Sequence, residues 1–370
     1  MTQPLNEASA AANAGHFNLQ YRGFDYVAFY NGAYENADSL PTLVKTGANS
    51  IEATLDYGID AQTSQVVADP NYTDSLSALG STIAQAECLG LSVMVRPLID
   101  FLNPAESAPY SVGDWRQDYH PTNVAAFFAS YQQMIVAEAK VAQANGAQML
   151  SIGAELDQLT GPQYLHYWTE IIDAVRAVFS GALTYSASWN TANEVSFWSQ
   201  LNYEGIDCYV PLSNAAHPTL RQLVDGWLDP ASPNQDPGAY SEIGNQSPVH
   251  YFENLSAESG KPLIFTELGY ANDSGAAADP AASGNSPDPH LQAQLYRAFF
   301  KAWDSADSSS LVGTYFWEWD PNGSTSNVGP GIDSFSPQNS PAQHQATIGF
   351  EHDSGTLAAH IAGLHAHHLL

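Results

Sequence analysis

"QMLSIGAEL" (148–156) is an apolar run of strand length that finishes on an acid, Glu155. A segment this short and this apolar reads as a strand buried on both faces, as in a parallel sheet. Three others of the same kind precede it: "RGFDYVAFY" (22–30), "SIEATLDYG" (50–58) and "LSVMVRPLIDF" (91–101). Four follow: "ALTYSASWN" (182–190), "GIDCYVPL" (205–212), "KPLIFTELGY" (261–270) and "LVGTYFWEWD" (311–320). Between them lie segments with helical spacing, at 74–89, from Asn123 to Asn145, and at 161–179, 219–228 and 290–305. Shorter helices are expected in "ADSLPTLVKTG", where Gly47 supplies a stop, and near 193–201. "SGTLAAHIAGLHAHH" (354–368) is expected to close the set as a last helix.

Eight strand–helix units in alternation predict an α/β fold with a parallel sheet, and eight is the number that closes a (β/α)8 barrel. An open doubly wound sheet usually opens with a glycine-rich phosphate turn, and "FYNGAYEN" after the first strand is none. The expected architecture is one barrel domain over 21–370, preceded by a polar extension at 1–20. The stretches after strands three, six, seven and eight (102–122, 229–249, 271–289 and 321–350) are long and rich in Pro, Gly, Ser and Asn. Returns from helix to strand, such as "ANGAQ" and "SGAL", are short. Long loops gathered on one rim mark the C-terminal face, where barrel enzymes place their chemistry.

Composition narrows the ligand. Among 370 residues there are 39 Asp+Glu and 10 Lys+Arg, a net charge of −29. Such a field repels phosphates, which argues against nucleic acid, anionic lipid and phosphorylated substrates. No apolar run reaches the ~20 residues that span a bilayer, and the first twenty residues lack the basic start and apolar core of a signal peptide. The acidity suits an extracellular monomer acting on an uncharged ligand. Cys88 and Cys208 read as two buried free thiols rather than a disulfide.

Glu155 is matched by Glu267 in "IFTELGY", which ends strand seven as Glu155 ends strand four. In a closed barrel these strands face each other across the mouth. With so few cations to pair them, two strand-end glutamates read as one site. Paired carboxylates are what glycoside hydrolysis requires, one acid protonating the leaving oxygen while the other attacks the anomeric carbon or activates water. Trp189 and Asn190, Tyr209, and Trp317, Glu318 and Trp319 also fall at strand ends. Flat rings stack on the C–H faces of sugars, and amides and carboxylates bond their hydroxyls. Arg96 and Asp100 on strand three are further candidates. Arg96 either ties barrel layers together or keeps a neighbouring carboxylate ionised. Asp157 is a weaker catalytic candidate, and Tyr110, Trp115 and Tyr119 either line a groove or anchor their loop. Histidines 352, 360, 365, 367 and 368 crowd the end of the chain, yet the HxH pair of metal-dependent barrels has no counterpart at strand one, where "FYN" stands. "WDPNGSTSN" misplaces its glycine for a calcium loop. No metal or other cofactor is expected.

The order "SIGAEL", "LTYSASWN", "GIDCYVPL", "LIFTELGY" resembles glycoside hydrolase family 113, in the clan A of retaining (β/α)8 glycosidases, over residues 22 to 320. The resemblance implies β-1,4-mannanase activity, Glu155 as acid/base, Glu267 as nucleophile and Tyr209 as a hydrogen-bond donor to the nucleophile. It departs at Ala154, where much of the clan has the asparagine that holds the sugar 2-hydroxyl; Asn190 is the candidate to supply that hydrogen bond. Loops of unequal height favour an open groove, hence internal cleavage of a mannan-type polysaccharide or oligosaccharide. An exo-β-glycosidase or β-glucan hydrolase of the same clan is the nearest alternative. A non-catalytic carbohydrate-binding barrel is a third reading, against which the two intact glutamates argue.

Overall fold

A computed structural model describes residues 17–101 and 115–353 apart from 233, 283, 307, 324–328 and 333. Nine strands are present: β1 (Tyr21–Ala28), β2 (Ser50–Asp60), β3 (Gln65–Val67), β4 (Ser92–Phe101), β5 (Met149–Ala154), β6 (Ala182–Ser188), β7 (Glu204–Asp207), β8 (Leu263–Gly269) and β9 (Leu311–Trp319). Eight run parallel in the order β1-β9-β8-β7-β6-β5-β4-β2, and β2 pairs back onto β1, closing the barrel. The eight expected strands are these eight. β3 is an addition, a short antiparallel partner that folds back on the end of β2.

Helices α1 (Leu40–Val44), α2 (Leu76–Cys88), α3 (Trp115–Asp118), α4 (Val124–Asn145), α5 (Leu165–Arg176), α6 (Leu220–Leu228), α7 (Pro237–Glu242), α8 (Pro248–Ser259), α9 (Pro289–Ala306) and α10 (Pro341–Asp353) surround the sheet. Their ends follow local chemistry. Asn123 caps α4 by accepting from Ala126 N–H, and Gly146 ends it at φ 93, where a residue with a Cβ would be strained. Gly47, the expected stop after α1, is likewise left-handed at φ 80. The segment 193–201 does not form the expected helix. Val195, Phe197, Trp198 and Leu201 are all buried, so no single helical face would cover them, and the chain makes two 3-10 turns instead. The expected loops at 229–249 and 321–350 contain α7 and most of α10. The expected final helix at 354–368 lies outside the described residues.

Inward-facing side chains stack in layers, as period-two alternation on tilted strands requires. Met94, Met149, Ile264 and Tyr315 form the lowest layer. Val27, Leu98 and Ala154, with Trp317 against them, form the uppermost. Between the two lies a charged layer: Asp25, Glu52, Arg96 and Asp207, all wholly buried. On β4 the sequence Met94, Arg96, Leu98 climbs through all three layers, and Asp100 continues the same face to the rim. Cys208 is buried as expected, but Cys88 is exposed. It falls outside the buried stripe of α2, which is Ala78, Leu79, Thr82, Ile83 and Ala86.

Candidate active site

Glu155 is the residue that follows β5, and it takes a left-handed backbone conformation, φ 53. For a non-glycine residue that costs about 1 kcal/mol or more, so its surroundings must hold it there. They do so from both sides: Glu155 N–H donates to Ser186 O at 2.8 Å, and Leu156 N–H donates to the buried Tyr185 phenol at 2.7 Å. Glu267 reaches the barrel axis by a different device. With Ile264 and Thr266 facing inward, strict alternation would turn Glu267 to the helices. Pairing with β9 shifts register between Phe265 and Leu268, and pairing with β7 shifts at Asp207, which brings Glu267 to the mouth as well.

The two carboxyls occupy contrasting environments. Both oxygens of Glu267 accept hydrogen bonds, Oε1 from Arg96 and Oε2 from the Tyr209 phenol. Burial, then the nearby charge of Glu267, pushes the Tyr209 hydroxyl well above its usual range, so it keeps its proton and donates. The Glu155 carboxyl is pushed up to about 7 by burial first and by the charge of Glu267 second, against the opposing pull of Arg116. Arg116 Nη1 lies 3.5 Å from Glu155 Oε2.

Arg96 joins the layers. Besides Glu267 it pairs with Glu52 below and with Asp207 Oδ2 at 3.2 Å. Burial alone would lower its pKa, but Glu52, Glu267, Asp207 and Asp25 together raise it well above the ordinary value. One cation cannot balance four buried carboxyls. Burial first, then Glu52, lifts Asp25 well above the carboxylate range; burial, then Glu267, does the same for Asp207; and Glu52 rises to about 7. The two expectations for Arg96, tying layers and facing a reacting carboxylate, are both met.

The other candidates separate. Trp317 stands at the mouth, its ring centroid 5.7 Å from Arg96 Cζ, and a cis peptide joins it to Glu318. Glu318 is pushed up to about 8 by burial and the charges of Asp320 and Glu267. Trp319, expected beside Trp317, is instead wholly buried on the helix side, packed on Phe24 and donating its Nε1–H to Ser39. Trp189 is half-buried at the end of β6 and packs on the core. Asn190 does not turn to the mouth in this structure: its amide donates to Glu242 at 2.7 Å. Asp100 accepts from Arg116 at 3.3 Å, and beside it Asp56 is pushed up to about 8 by burial, then by the charge of Asp100. Asp157 is held by Ser188 and Thr191. Tyr119 is buried between Phe101 and Phe127 and anchors its loop. Tyr110, the Trp115 side chain and histidines 360, 365, 367 and 368 lie outside the described residues. Among those described, no group of three His, Cys, Asp or Glu is arranged to hold a metal ion, and no helix is long and apolar enough to cross a membrane. Arg116, Asp56 and Glu52 had no signal in the sequence beyond being charged residues in or near strands.

Solved structures share this architecture. The family 113 β-mannanase AaManA from Alicyclobacillus acidocaldarius, in complex with ManMIm, aligns with a TM-score of 0.72 at 21% identity, covering 92% of this chain and 99% of that one. A second family 113 β-1,4-mannanase gives 0.72 at 20%, covering 90% and 99%. A Faecalibacterium prausnitzii β-glucuronidase gives 0.56 at 12%, covering 90% of this chain and 49% of that one. At these identities the likeness establishes the fold. No curated protein sequence matches the chain. The family profile described as Glycoside Hydrolase Family 113 matches residues 24–336, a span that runs from β1 past β9 and holds both glutamates. The chain belongs to that family and is an O-glycoside hydrolase.

Proposed function

We propose that the protein is a retaining endo-β-1,4-mannanase with Glu267 as nucleophile and Glu155 as acid/base. The observation that carries this reading is the asymmetry of the two acids. Both oxygens of Glu267 are engaged by donors, which suits a carboxylate. Glu155, pushed up to about 7, holds its proton through the weakly acidic range and can give it away. In the first step a Glu267 oxygen bonds to the anomeric carbon. The glycosidic C–O bond breaks, and the Glu155 proton passes to the departing oxygen. In the second, Glu155 takes a proton from water and that water oxygen attacks the same carbon. The bond to Glu267 breaks, and both side chains return to their starting states. Two inversions give net retention.

The mannan preference is supported by the mannanase activity printed for the two similar solved structures and by family membership. A substrate of this size is met outside the cell, in keeping with the surface charge of −29. The test is incubation with β-mannan, glucomannan, cellulose and xylan. Mannan and glucomannan are expected to release oligosaccharides, with viscosity falling early while reducing ends rise slowly. Monosaccharide as the sole early product, or a preference for cellulose or xylan, overturns the reading.

A further inference from the structure

Among the described residues, seven large apolar side chains are exposed, and the three aromatic ones, Phe29 (46%), Tyr30 (45%) and Tyr72 (44%), lie on two adjoining segments. Phe29 and Tyr30 directly follow β1 on the C-terminal rim. Tyr72 lies in the return after β3, and Asn31 N–H donates to Asn71 O at 2.8 Å, tying the two segments together. The support beneath is ordered. The Tyr34 phenol lies 2.6 Å from Tyr26 O and 2.8 Å from Thr54 O, Tyr34 N–H donates to Asp74, and the Thr73 hydroxyl bonds Asp56 O at 2.5 Å. The rings are therefore held out to solvent rather than left there by a loose loop.

The patch is continuous with the catalytic centre. The Phe29 ring meets Trp317 edge-on at 5.9 Å, Trp317 lies over Arg96, and Arg96 bonds Glu267. "FYNGAY" (29–34) and "PNYT" (70–73) carry no charge and offer amides beside the rings. A charged partner finds nothing to pair with here. A ligand with flat C–H faces and many hydroxyls finds both a stacking surface and hydrogen-bonding groups.

We propose that Phe29, Tyr30 and Tyr72 form an aromatic platform that binds further sugar units of a β-linked polysaccharide chain, extending the substrate groove from Trp317 across the rim above β1 and β2. This rests on the glycosidase reading above and adds the direction in which the chain runs. Because the platform is built in advance, binding to it costs little ordering of the protein.

The test replaces two rings and leaves Phe29, which packs on Trp317. Tyr30→Ala/Tyr72→Ala is compared with the wild type on β-1,4-mannohexaose and on a chromogenic aryl β-mannobioside, which is too short to reach the platform. At about two- to twelve-fold for each aromatic ring removed, kcat/KM on the hexaose is expected to fall roughly 4- to 150-fold. The mannobioside value is expected to stay within about twofold. A fall on both substrates alike would make the rings supports of the fold, and no fall on either would leave the chain elsewhere; either result overturns the proposal. Tyr30→Trp/Tyr72→Trp is expected to keep the hexaose preference. A second readout needs no turnover: in gels containing glucomannan, the wild type is expected to be retarded more than the double variant. Failure of the wild type to cleave either mannoside sinks the mannanase reading, whereas equal retardation sinks the platform.

Discussion

Replacing Arg116 with glutamine removes the cation that lies 3.5 Å from the Glu155 carboxyl. In an environment with an effective dielectric constant of ~20, one such pair is worth about 5 kcal/mol before compensation. Compensation is substantial here. Asp100 Oδ2 sits 3.3 Å from the other arm of the same guanidinium, and the Arg116 and Glu155 side chains keep 16% and 12% of their surface in water. A net effect of about 1.4–2.7 kcal/mol remains, the range in which one opposite charge moves a neighbouring carboxyl by roughly one to two units. The sign follows directly. Arg116 favours the charged form of Glu155, so its removal raises the pKa from about 7. The acid then stays protonated to higher pH, and the alkaline limb of kcat/KM moves up to about pH 8–9. The assay is the pH profile of kcat/KM on an aryl mannoside with a poor leaving group, which needs the proton. Asp100→Asn is the counter-experiment: without that anion Arg116 pulls harder on Glu155, and the limb moves down. A limb that stays in place in Arg116→Gln, or falls, refutes the account of how this site tunes its acid.

Two other consequences follow from the same geometry. Glu155→Ala is expected to retain more turnover on activated aryl glycosides than Glu267→Ala, with added azide yielding a β-glycosyl azide from the first and the α-anomer from the second; the reverse pattern of anomers exchanges the assigned roles. Away from the site, burial pushes Glu138 on α4 up to about 8, opposed by a hydrogen bond from Tyr57. Because its folded pKa exceeds its unfolded one, its stabilising contribution is complete below about pH 4.5 and declines by up to about 1.4 kcal/mol per pH unit until pH 8. Glu138→Gln, which mimics the protonated acid, should melt near the wild type at pH 5 and above it at pH 8, and an equal difference at both values would show that Glu138 does not titrate on unfolding.

Much of the barrel was legible because its signals are local. Eight apolar strands and the caps at Asn123, Gly47 and Gly146 depend on neighbours within a few residues. The segments that escaped lack such a signal. β3 is three residues long, and 193–201 spreads its buried side chains round the whole helical circumference. Among candidate site residues, Glu155, Glu267, Tyr209, Arg96 and Trp317 come together at the mouth. Trp319 does not, although position alone grouped it with Trp317. The sequence marks both as aromatic, but which ring meets substrate depends on a turn of the chain at the end of β9. Asn190 was in reach of the right rim, and α7, a helix not foreseen, supplies the Glu242 that takes its amide.

By itself, the sequence determined the periodicities, and with them the eight-fold alternation, the active rim and the two acids that end strands four and seven. Tertiary structure alone decided what those acids are. Closure of the barrel brings Arg96 and Tyr209 to one carboxyl and Arg116 to the other, from positions far apart in the chain. A carboxyl's proton affinity is set by burial and by charges within a few ångströms, and a linear sequence does not contain those distances.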